Sequence, residues 1–512
     1  MSDHDCIVVG AGTAGSVVAR RLADAGWSVL VVEAGGSNRD ERIQDVGRLN
    51  QLWHSPLDWD HHSEPQPYAQ GRRLHLPRGK VLGGSHSLNA AIWVRGLPSD
   101  FDGWAAEGCP GWSWQQIEPV YRRIEDWRGQ PAAGRGRAGL LPVEQTAPLH
   151  PVQAAIVEAG VQWGMARNPD YNSGTITGIA PMQLTVAHGE RVTTWDAYTQ
   201  PAVDEGRIAL RTGAVVRRVL VHDGRAVAVE LHGPEGTQAV AARQIVLCAG
   251  AFGSAEILLR SGIGPARQLA ALGIEPHADL PVGRNLHDHY LVPVIFSARR
   301  PVEPPLPRQP VTQVHWFWSS VPEAPAPDTQ PLAFSVPMLE PDMEPVPNGF
   351  TLMAGLVGTH SRGELTLGGP QAADGIRIDP HVLEDERDVA SLLRSVRQCL
   401  QLGAQPALAA WGAQPVHPGD GLSDEELVAY IRRRVTTYHH PVGTCRMGSD
   451  ARAVVDPRLR VRGVAGLTVA DASVMPAITT GNTNAPTTLI AEQAAGFLLD
   501  PASAPAPAPA AS

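Results

Sequence analysis

A glycine-rich turn between two apolar segments near residue 10 constrains the fold of this chain more than any other feature. The run Ile7 to Val9 leads into Gly10-Ala-Gly12-Thr-Ala-Gly15, a helical stretch spans 16–24, and a second apolar run over 29–32 ends at Glu33. Glycine suits this turn because a Cβ would hold a pyrophosphate away from the backbone N–H groups and the helix N-terminus. Glu33 follows Gly15 by 18 residues, close to the spacing of about 20 at which an acid binds ribose hydroxyls. The pattern predicts a Rossmann-like α/β domain that binds a dinucleotide.

The residues predicted to contact the dinucleotide in this unit are Gly10, Gly12, Thr13, Ala14, Gly15, Glu33 and Ala34. A glycine turn of this kind also occurs with a purely structural role. The motif alone does not separate FAD from NAD, so the identity of the dinucleotide depends on other motifs.

Composition limits the classes of function. The chain has 512 residues, 43% of them hydrophobic and 18% charged, so it can bury a sizeable core in two joined domains. A net charge of −10 argues against a nucleic-acid partner, because there is no basic excess to neutralise phosphates. The first residues lack the features of a signal peptide, and no run of about 18 apolar residues predicts a membrane span. Five scattered cysteines predict reduced thiols and a cytoplasmic protein: Cys6, Cys109, Cys248, Cys399 and Cys445.

The segments between the motifs predict an interleaved organisation. Segment 36–76 is rich in His, Trp and Pro and predicts a long loop or lid over the cofactor, and 97–190 is a second insertion. The remaining periodic segments predict a helix over 152–164, strands over 208–212, 215–222, 226–231 and 244–248, and a helix over 255–259. The Ala/Pro tail 501–512 predicts disorder.

Proline becomes dense between residues 300 and 348, around the aromatic run His315-Trp-Phe-Trp318. Proline lacks the N–H that a strand inside a sheet needs, so this region predicts an edge strand and loops of a second domain. Strand alternation would turn Trp316 and Trp318 to one face, which is either plain core or a wall of the substrate pocket.

Five further motifs carry family-level information. They are Arg78-Gly-Lys-Val-Leu-Gly-Gly-Ser-His-Ser-Leu-Asn-Ala-Ala-Ile-Trp-Val-Arg-Gly96, Gly250–Gly264, Gly283-Arg-Asn-Leu-His-Asp-His289, His440-Pro-Val-Gly-Thr-Cys-Arg-Met-Gly448 and Gly481-Asn-Thr-Asn-Ala-Pro486. With the first glycine turn they cover nearly the whole chain, which resembles the glucose-methanol-choline (GMC) oxidoreductases. Within that family it looks most similar to bacterial oxidases and dehydrogenases of primary alcohols, including aryl and furfuryl alcohols.

The resemblance implies a fold and a cofactor. The expected fold is α/β, with a Rossmann-like FAD-binding domain and an interleaved α+β substrate domain built on an antiparallel sheet. Residues 1–290 would form the FAD-binding region, 291–430 the substrate domain, and 431–498 a return to the FAD domain with the catalytic motif. The further residues expected at FAD are Val81, Gly83, Gly84, Asn89, Ala90, Ala91, Trp93, Val215, Ala249, Gly250, His439, Asp471, Ala472, Asn482 and Thr483.

Two positions depart from the family pattern. Some relatives tether FAD through a histidine one residue before the asparagine equivalent to Asn89, and this chain has Leu88 there, so the resemblance predicts non-covalent FAD. His86, two residues earlier, is expected to be a hydrogen-bonded loop histidine. The second departure is Ala255, where the family usually has proline.

The resemblance also implies the catalytic pair. His440 is expected to take the hydroxyl proton as a hydride leaves the substrate carbon, a task that suits a neutral imidazole. Asn482 matches the family's second site position, where an amide can hold the substrate oxygen and stabilise its developing charge. Flavin N5 would take the hydride, and O2 or another acceptor would reoxidise the flavin.

The resemblance leaves alternative activities open and implies a class of substrate. A few proteins of this type retain the flavin but act as hydroxynitrile lyases or photodecarboxylases, and the pair of His440 and Asn482 favours redox chemistry. The expected substrate is a neutral, mostly apolar or aromatic primary alcohol, since no counter-charge for choline is evident near these residues. The histidine pairs His61-His62 and His287-Asp-His289 lack the accompanying cysteine or carboxylate ligands of a known metal site, so no metal is predicted.

Overall fold

A seven-stranded sheet collects strands from the two ends and the middle of the chain. The computed structural model describes residues 4–322 and 324–500, so the predicted tail 501–512 lies outside the described residues. The neighbouring strands are, in spatial order, Ile208–Arg211, Val29–Val32, His4–Val9, Gly236–Leu247, Arg225–Gly233 and Val215–His222, and Leu467–Val469 also pairs with Gly236–Leu247. The Rossmann-like domain predicted from the first glycine turn is therefore present.

The long strand Gly236–Leu247 joins two kinds of pairing. Its second half runs parallel to His4–Val9 and to Leu467–Val469, while its first half runs antiparallel to Arg225–Gly233. The parallel part is rich in Ile, Val and Leu and is buried, as expected for strands covered on both faces. Two helices, Thr13–Asp24 and Asn484–Leu499, pack against each other beside it.

A second, antiparallel seven-stranded sheet forms the other half of the molecule. Its order is Gln414–His417, Tyr290–Ser297, Gly349–Leu356, Leu332–Phe334, Thr312–Phe317 and Gly178–Pro181, and Thr436–Thr437 also pairs with Tyr290–Ser297. The sheet thus includes strands from outside 291–430, at 178–181 and 436–437. The helix Glu386–Gly403 packs on this sheet, and the mixed architecture matches the predicted α/β class with an antiparallel substrate domain.

The strand Thr312–Phe317 corrects one expectation. It lies inside the sheet, between Gly178–Pro181 and Leu332–Phe334, and is not an edge strand. The prolines of this region fall in the flanking loops, which leaves the strand's own N–H groups free to pair. Trp316 is fully buried and its indole N–H donates to Gln398 of the packed helix at 2.9 Å, so its face of the strand is core.

Shorter elements complete the fold. The other α-helices are Glu41–Gln44, Pro98–Ala106, Trp114–Ile124, Pro151–Trp163, Gln200–Asp204, Gly250–Arg260, Ala266–Ala271, Pro406–Ala409 and Asp424–Arg434. The other strand groups are Glu125–Trp127 with Leu141–Gln145 and Gln183–Leu184, His61–His62 with His75–Leu76, Val186–Ala187 with Glu190–Arg191, Ile263–Gly264 with Ala278–Asp279, and Glu364–Leu367 with Ile376–Asp379. Within the described ranges, none of the helices combines the length and the apolar character needed to cross a membrane.

Candidate active site

One cavity of about 460 Å³ connects the first glycine turn to the antiparallel sheet. Segment 36–76 contributes to its wall through Leu49, Asn50, Trp53, Trp59, His61 and His75, and its role as a loop over the cofactor stays a prediction. The predicted site residues on the wall are Gly10, Gly12, Thr13, Ala14, Glu33, Ala34, Gly84, Asn89, Ala90, Val215, Ala249, Gly250, His439, His440, Asp471, Ala472, Asn482 and Thr483. The folded chain thus brings together motifs that are hundreds of residues apart.

The glycine end of the cavity has the shape that a pyrophosphate needs. Gly10 adopts φ +96°, and a Cβ there would lie 2.6 Å from the carbonyl oxygen of Cys248. Gly84 has φ +55°, and a Cβ there would lie 2.7 Å from the Cα of Gly12. Gly12 is the N-cap of the helix Thr13–Asp24 and provides no side chain to cap it. The bare helix N-terminus at the cavity wall fits an anionic group, so a dinucleotide fits this end.

Glu33 is held against the glycine turn. Its two carboxylate oxygens accept the backbone N–H groups of Ala11 and Gly35, each at 2.8 Å. Burial raises the pKa of this carboxyl, and these hydrogen bonds oppose the rise. The carboxylate therefore braces the turn from a position on the cavity wall, and its predicted contact with ribose hydroxyls stays a prediction.

Asp471 joins the C-terminal return to the helix Gly250–Arg260. One carboxylate oxygen accepts the N–H of Gly250 at 2.9 Å and the hydroxyl of Ser254 at 2.5 Å, and the other accepts the N–H of Ser473 at 2.9 Å. Burial raises the pKa of Asp471. This contact keeps the two segments together at the wall of the cavity.

Five predicted site residues do not line the cavity: Gly15, Val81, Gly83, Ala91 and Trp93. Gly15 supports the turn from behind, because a Cβ there would lie 1.8 Å from the carbonyl oxygen of Gly10. Trp93 is fully buried, and its indole N–H donates to Glu125 at 2.6 Å. Glu125 also pairs with Arg95 at 2.6 Å, so the tryptophan belongs to a buried polar cluster and not to the cavity wall.

His86 has the hydrogen-bonded role predicted for it. Its Nε2 lies 2.8 Å from the hydroxyl of Thr185, and its Nδ1 accepts the N–H of Thr194 at 3.2 Å. Burial lowers the pKa of His86 to about 3, so the ring is neutral. Leu88 lines the cavity with an apolar side chain where some relatives have a histidine.

A chain of hydrogen bonds surrounds His440. Its Nε2 lies 3.1 Å from the amide nitrogen of Asn482, and its Nδ1 lies 3.1 Å from Nδ1 of His289. The carbonyl oxygen of Asn482 accepts from the Gln330 amide at 2.9 Å, and that amide also lies 3.0 Å from Nδ1 of His315. Because the Asn482 amide donates to Nε2, the hydrogen of the neutral His440 ring sits on Nδ1 and points at His289. The electron pair of Nε2 therefore points toward Asn482, where it accepts this hydrogen bond.

The His440 ring is neutral and well supported. Burial lowers the pKa of His440 well below 6.5, and nearby His289, His439 and Arg78 lower the pKa further. The Tyr438 ring stacks on it with ring centres 4.7 Å apart. A neutral, oriented imidazole of this kind is ready to accept a proton.

Asp288 fixes the backbone of the catalytic motif. One carboxylate oxygen accepts the N–H of His440 at 2.7 Å, and the other accepts the hydroxyl of Thr437 at 2.6 Å. Burial raises the pKa of Asp288 to about 6. The carboxylate therefore positions His440 without touching its ring.

The hydrogen bond and ring contact of His439 differ from those of His440. Its backbone adopts φ +67°, its carbonyl oxygen accepts from Arg78 at 2.6 Å, and its ring packs edge-on against Trp53 with centres 5.0 Å apart. Burial lowers its pKa to about 3. The left-handed turn at His439 separates the two rings, so only His440 meets Asn482.

Several site residues were not anticipated from the sequence. The pair of His440 and Asn482 is supported by His289, Gln330 and Tyr438, which lie within the antiparallel sheet or beside it. No local sequence motif indicates that role for them. The antiparallel sheet and the loop after one of its strands add Leu291, Thr312, Leu332, Phe334, Met338 and Met353 to the wall. Leu332 and Phe334 alternate along one strand, a pattern that also describes ordinary core.

Comparison with known proteins identifies the family. Two models of the GMC oxidoreductases match residues 4–291 and 359–491. The chain is 35% identical to an oxygen-dependent choline dehydrogenase of Rhizobium etli, over 97% of this chain and 95% of that one. It is 37% identical to an uncharacterized GMC-type oxidoreductase of Mycobacterium bovis, over 97% and 99% of the two chains.

A solved structure shows the same fold over almost its full length. Pyridoxine 4-oxidase from Mesorbium loti superposes with a TM-score of 0.91 at 36% identity, covering 96% of this chain and 98% of that one. Sequence, fold and the arrangement around His440 lead to one conclusion. The chain belongs to the GMC oxidoreductase family and is an FAD-dependent alcohol oxidoreductase.

Proposed function

We propose that this protein oxidises a neutral primary alcohol to an aldehyde, with His440 as the base and Asn482 as the partner of the substrate oxygen. The observation that carries the proposal is the 3.1 Å separation of His440 Nε2 and Asn482 Nδ2 on the wall of the cavity. One oxygen atom can lie within hydrogen-bond distance of two nitrogens that are this close. A substrate hydroxyl that replaces the direct hydrogen bond between Asn482 and His440 donates to His440 Nε2 and accepts from the Asn482 amide.

The two side chains divide the chemistry between them. His440 takes the hydroxyl proton at Nε2, and the charge that remains on the substrate oxygen is stabilised by the Asn482 amide. His289 receives a hydrogen bond from Nδ1 of His440 and so holds the tautomer in which Nε2 is the acceptor. When bound, FAD supplies the acceptor for the hydride that leaves the substrate carbon.

The charge distribution around the cavity supports a neutral substrate. Three acids lie on the wall. Glu33 and Asp471 accept hydrogen bonds from the backbone N–H groups of Ala11 and Gly250 at the glycine end, and Glu256 pairs with Arg260 at 2.8 Å. The antiparallel sheet contributes mostly aliphatic, aromatic and methionine side chains to the wall. Since each acid on the wall already has a partner in the protein, none is free to balance the charge of a quaternary ammonium such as choline, whereas a hydroxymethyl-arene suits an apolar wall.

An anaerobic substrate panel tests the proposal. We expect benzyl alcohol, hydroxymethylfurfural or pyridoxine to reduce the bound flavin faster than choline or glucose. Comparing the rate for benzyl alcohol with the rate for a linear alkanol shows whether the enzyme prefers aromatic alcohols. Reduction followed in a stopped-flow spectrophotometer, and then mixing with O2, reports substrate class and acceptor together. A clear preference for choline or glucose would overturn the proposed substrate class, and a flavin that none of these alcohols reduces would contradict the proposed oxidation of a primary alcohol.

The pH dependence of flavin reduction follows from the surroundings of His440. Since burial and neighbouring His289, His439 and Arg78 disfavour the imidazolium, the base form persists below the ordinary histidine pKa of 6.5. We expect the reduction rate to be constant above pH 6.5 and to fall only at lower pH, as His440 is protonated. Reduction rates measured at saturating alcohol check this, and an acid limb centred at or above pH 6.5 would contradict it.

The bound FAD is proposed to be non-covalent. Leu88 offers no nucleophile at the position of the family's tether, and both ring nitrogens of His86 contact Thr185 and Thr194. We expect acid precipitation to release all the FAD into the supernatant. Flavin that stays in the washed pellet would show a covalent link, and peptide mapping would identify its residue.

A cytoplasmic location is also proposed. All five cysteines are free and buried in the structure. Unpaired thiols suit a reducing compartment. Fractionation of the native host cells tests this, and recovery outside the cytoplasm would contradict it.

A further inference from the structure

Three histidines and two aspartates gather beside the cavity, on segment 53–62 and the strand that follows. His54 Nδ1 lies 2.7 Å from Oδ1 of Asp60, and His75 Nε2 lies 3.2 Å from the same oxygen. A ring nitrogen of His62 lies within 4.8 Å of the His54 and Asp60 ligand atoms. Asp58 adds a second carboxylate, 3.1 Å from His75 Nε2. From the sequence, no carboxylate was expected to accompany the pair His61-His62 as a metal ligand. The folded segment corrects this, because Asp60 lies close to His62.

The cluster is held in place by backbone structure. Asp58 has a fully buried side chain that accepts the N–H groups of His54, Asp60 and Arg78. His54 and Asp60 adopt φ values of 55° and 54°, which turn the chain back on itself. His62 pairs with His75 in a short antiparallel ribbon. The potential ligands are thus brought together before any ion binds.

We propose that this cluster binds one divalent transition-metal ion such as Zn²⁺, through His54 Nδ1, Asp60 Oδ1 and a ring nitrogen of His62, with solvent completing the coordination. Imidazole and carboxylate ligands bind Zn²⁺ at about 2.0–2.2 Å in a tetrahedron, which sets the ligand atoms about 3.3–3.6 Å apart. The 2.7 Å separation of His54 Nδ1 and Asp60 Oδ1 must widen by about 0.6–0.9 Å for both atoms to bind one ion. A ligand set with two imidazoles favours a transition metal over Mg²⁺ or Ca²⁺.

Asp58 then has the role of an outer partner. It accepts the backbone N–H groups of His54 and Asp60, so it fixes the chain at two of the three ligands, and it also contacts the His75 ring. The His75 ring stacks on the His54 ring with centres 3.8 Å apart, so it supports a ligand and is not one itself.

The position of the site suggests what the ion would do. His75 lines the cavity, as do Trp53, Trp59 and His61 from the same segment. An ion shared by His54, Asp60 and His62 would fasten the turn at residues 54–60 to the first strand of the ribbon, and so fix this part of the wall. Neither His440 nor Asn482 belongs to the cluster, so the ion has a positioning role and takes no part in the redox step.

Equilibrium metal binding by the untagged, FAD-loaded protein tests this proposal. The protein is treated with EDTA, freed of the chelator and titrated with ZnCl2 by calorimetry, and bound zinc is counted by elemental analysis after dialysis. We expect one Zn²⁺ per chain, with His54→Ala and Asp60→Asn each weakening binding by about tenfold or more. His62→Gln removes one exposed ligand with little risk to folding and is expected to act in the same direction.

His222→Ala is the matched control. His222 is an exposed histidine 3.5 Å from the carboxylate of Asp223, on the edge strand Val215–His222 of the other sheet, so it reports weak binding by any surface His–Asp pair. Its removal is expected to leave the zinc stoichiometry at one. Circular dichroism and flavin absorbance confirm that each variant is folded. Absence of bound zinc in the wild type, or binding that His54→Ala, Asp60→Asn and His62→Gln leave unchanged, overturns the proposal.

Discussion

His440→Ala is expected to slow flavin reduction by alcohol by about 100-fold or more, the usual effect of losing a general base. The substitution removes the only ring that meets the Asn482 amide among the described residues, at 3.1 Å. It leaves the glycine end of the cavity unchanged, so FAD binding and the visible flavin spectrum are expected to persist. The reduction rate is measured in single-turnover, anaerobic stopped-flow experiments with the best alcohol of the panel.

His439→Ala provides the discriminating comparison. The His439 ring packs on Trp53 and lies on the cavity wall without a hydrogen bond to His440 or Asn482. We expect its loss to change the reduction rate far less than the loss of His440. If His439→Ala abolishes reduction while His440→Ala does not, the base has been assigned to the wrong histidine.

Gly15→Ala is expected to yield protein with little or no FAD. The added Cβ would lie 1.8 Å from the carbonyl oxygen of Gly10 and 3.2 Å from Cγ1 of Val8, so the strand, turn and helix must separate. Overpacking of a tight core costs about 1–3 kcal/mol, and a contact this short with backbone belongs at the upper end. Where this whole cost falls on the turn geometry that FAD requires, about 3 kcal/mol corresponds to FAD binding weakened by about 100-fold. The ratio of flavin to protein absorbance after gel filtration measures this.

Gly103→Ala is the matched control for that substitution. Gly103 lies in the helix Pro98–Ala106, where an added Cβ meets nothing within 4 Å. Alanine favours helix over glycine by about 1 kcal/mol, so this variant is expected to keep its FAD and its stability. Full FAD content in Gly15→Ala would contradict the steric argument.

The Rossmann-like unit was predictable from the sequence because its determinants are local. The order of strand, glycine turn, helix, strand and acid is set by neighbouring residues, and the resulting geometry at Gly10, Gly12 and Glu33 follows from backbone sterics. The family resemblance rests on motifs of the same local kind, and it correctly implied the α/β fold, the antiparallel second sheet and FAD.

The side-chain environment was less predictable, because it depends on which elements pack together. Trp93 lies within a family motif, yet its indole N–H donates a hydrogen bond to Glu125, 32 residues further along the chain. Alternation separates Trp316 from His315, but only the packing of helix Glu386–Gly403 makes the tryptophan face core and turns His315 toward Gln330. Periodicity predicts that two faces exist and does not predict what covers each.

The sequence by itself determined the glycine turn, the family and the identity of His440 and Asn482 as the candidate pair, since these depend on short-range patterns. Only the tertiary structure decided that His289 meets His440 from 151 residues away. It also decided that Asp60 lies close to His54 and His62 on one side and to Asp58 and His75 on the other. Hydrogen bonds and ligand geometry depend on distances in space. Those distances are set by the pairing of strands and the packing of loops over the whole chain, which no local pattern of residues records.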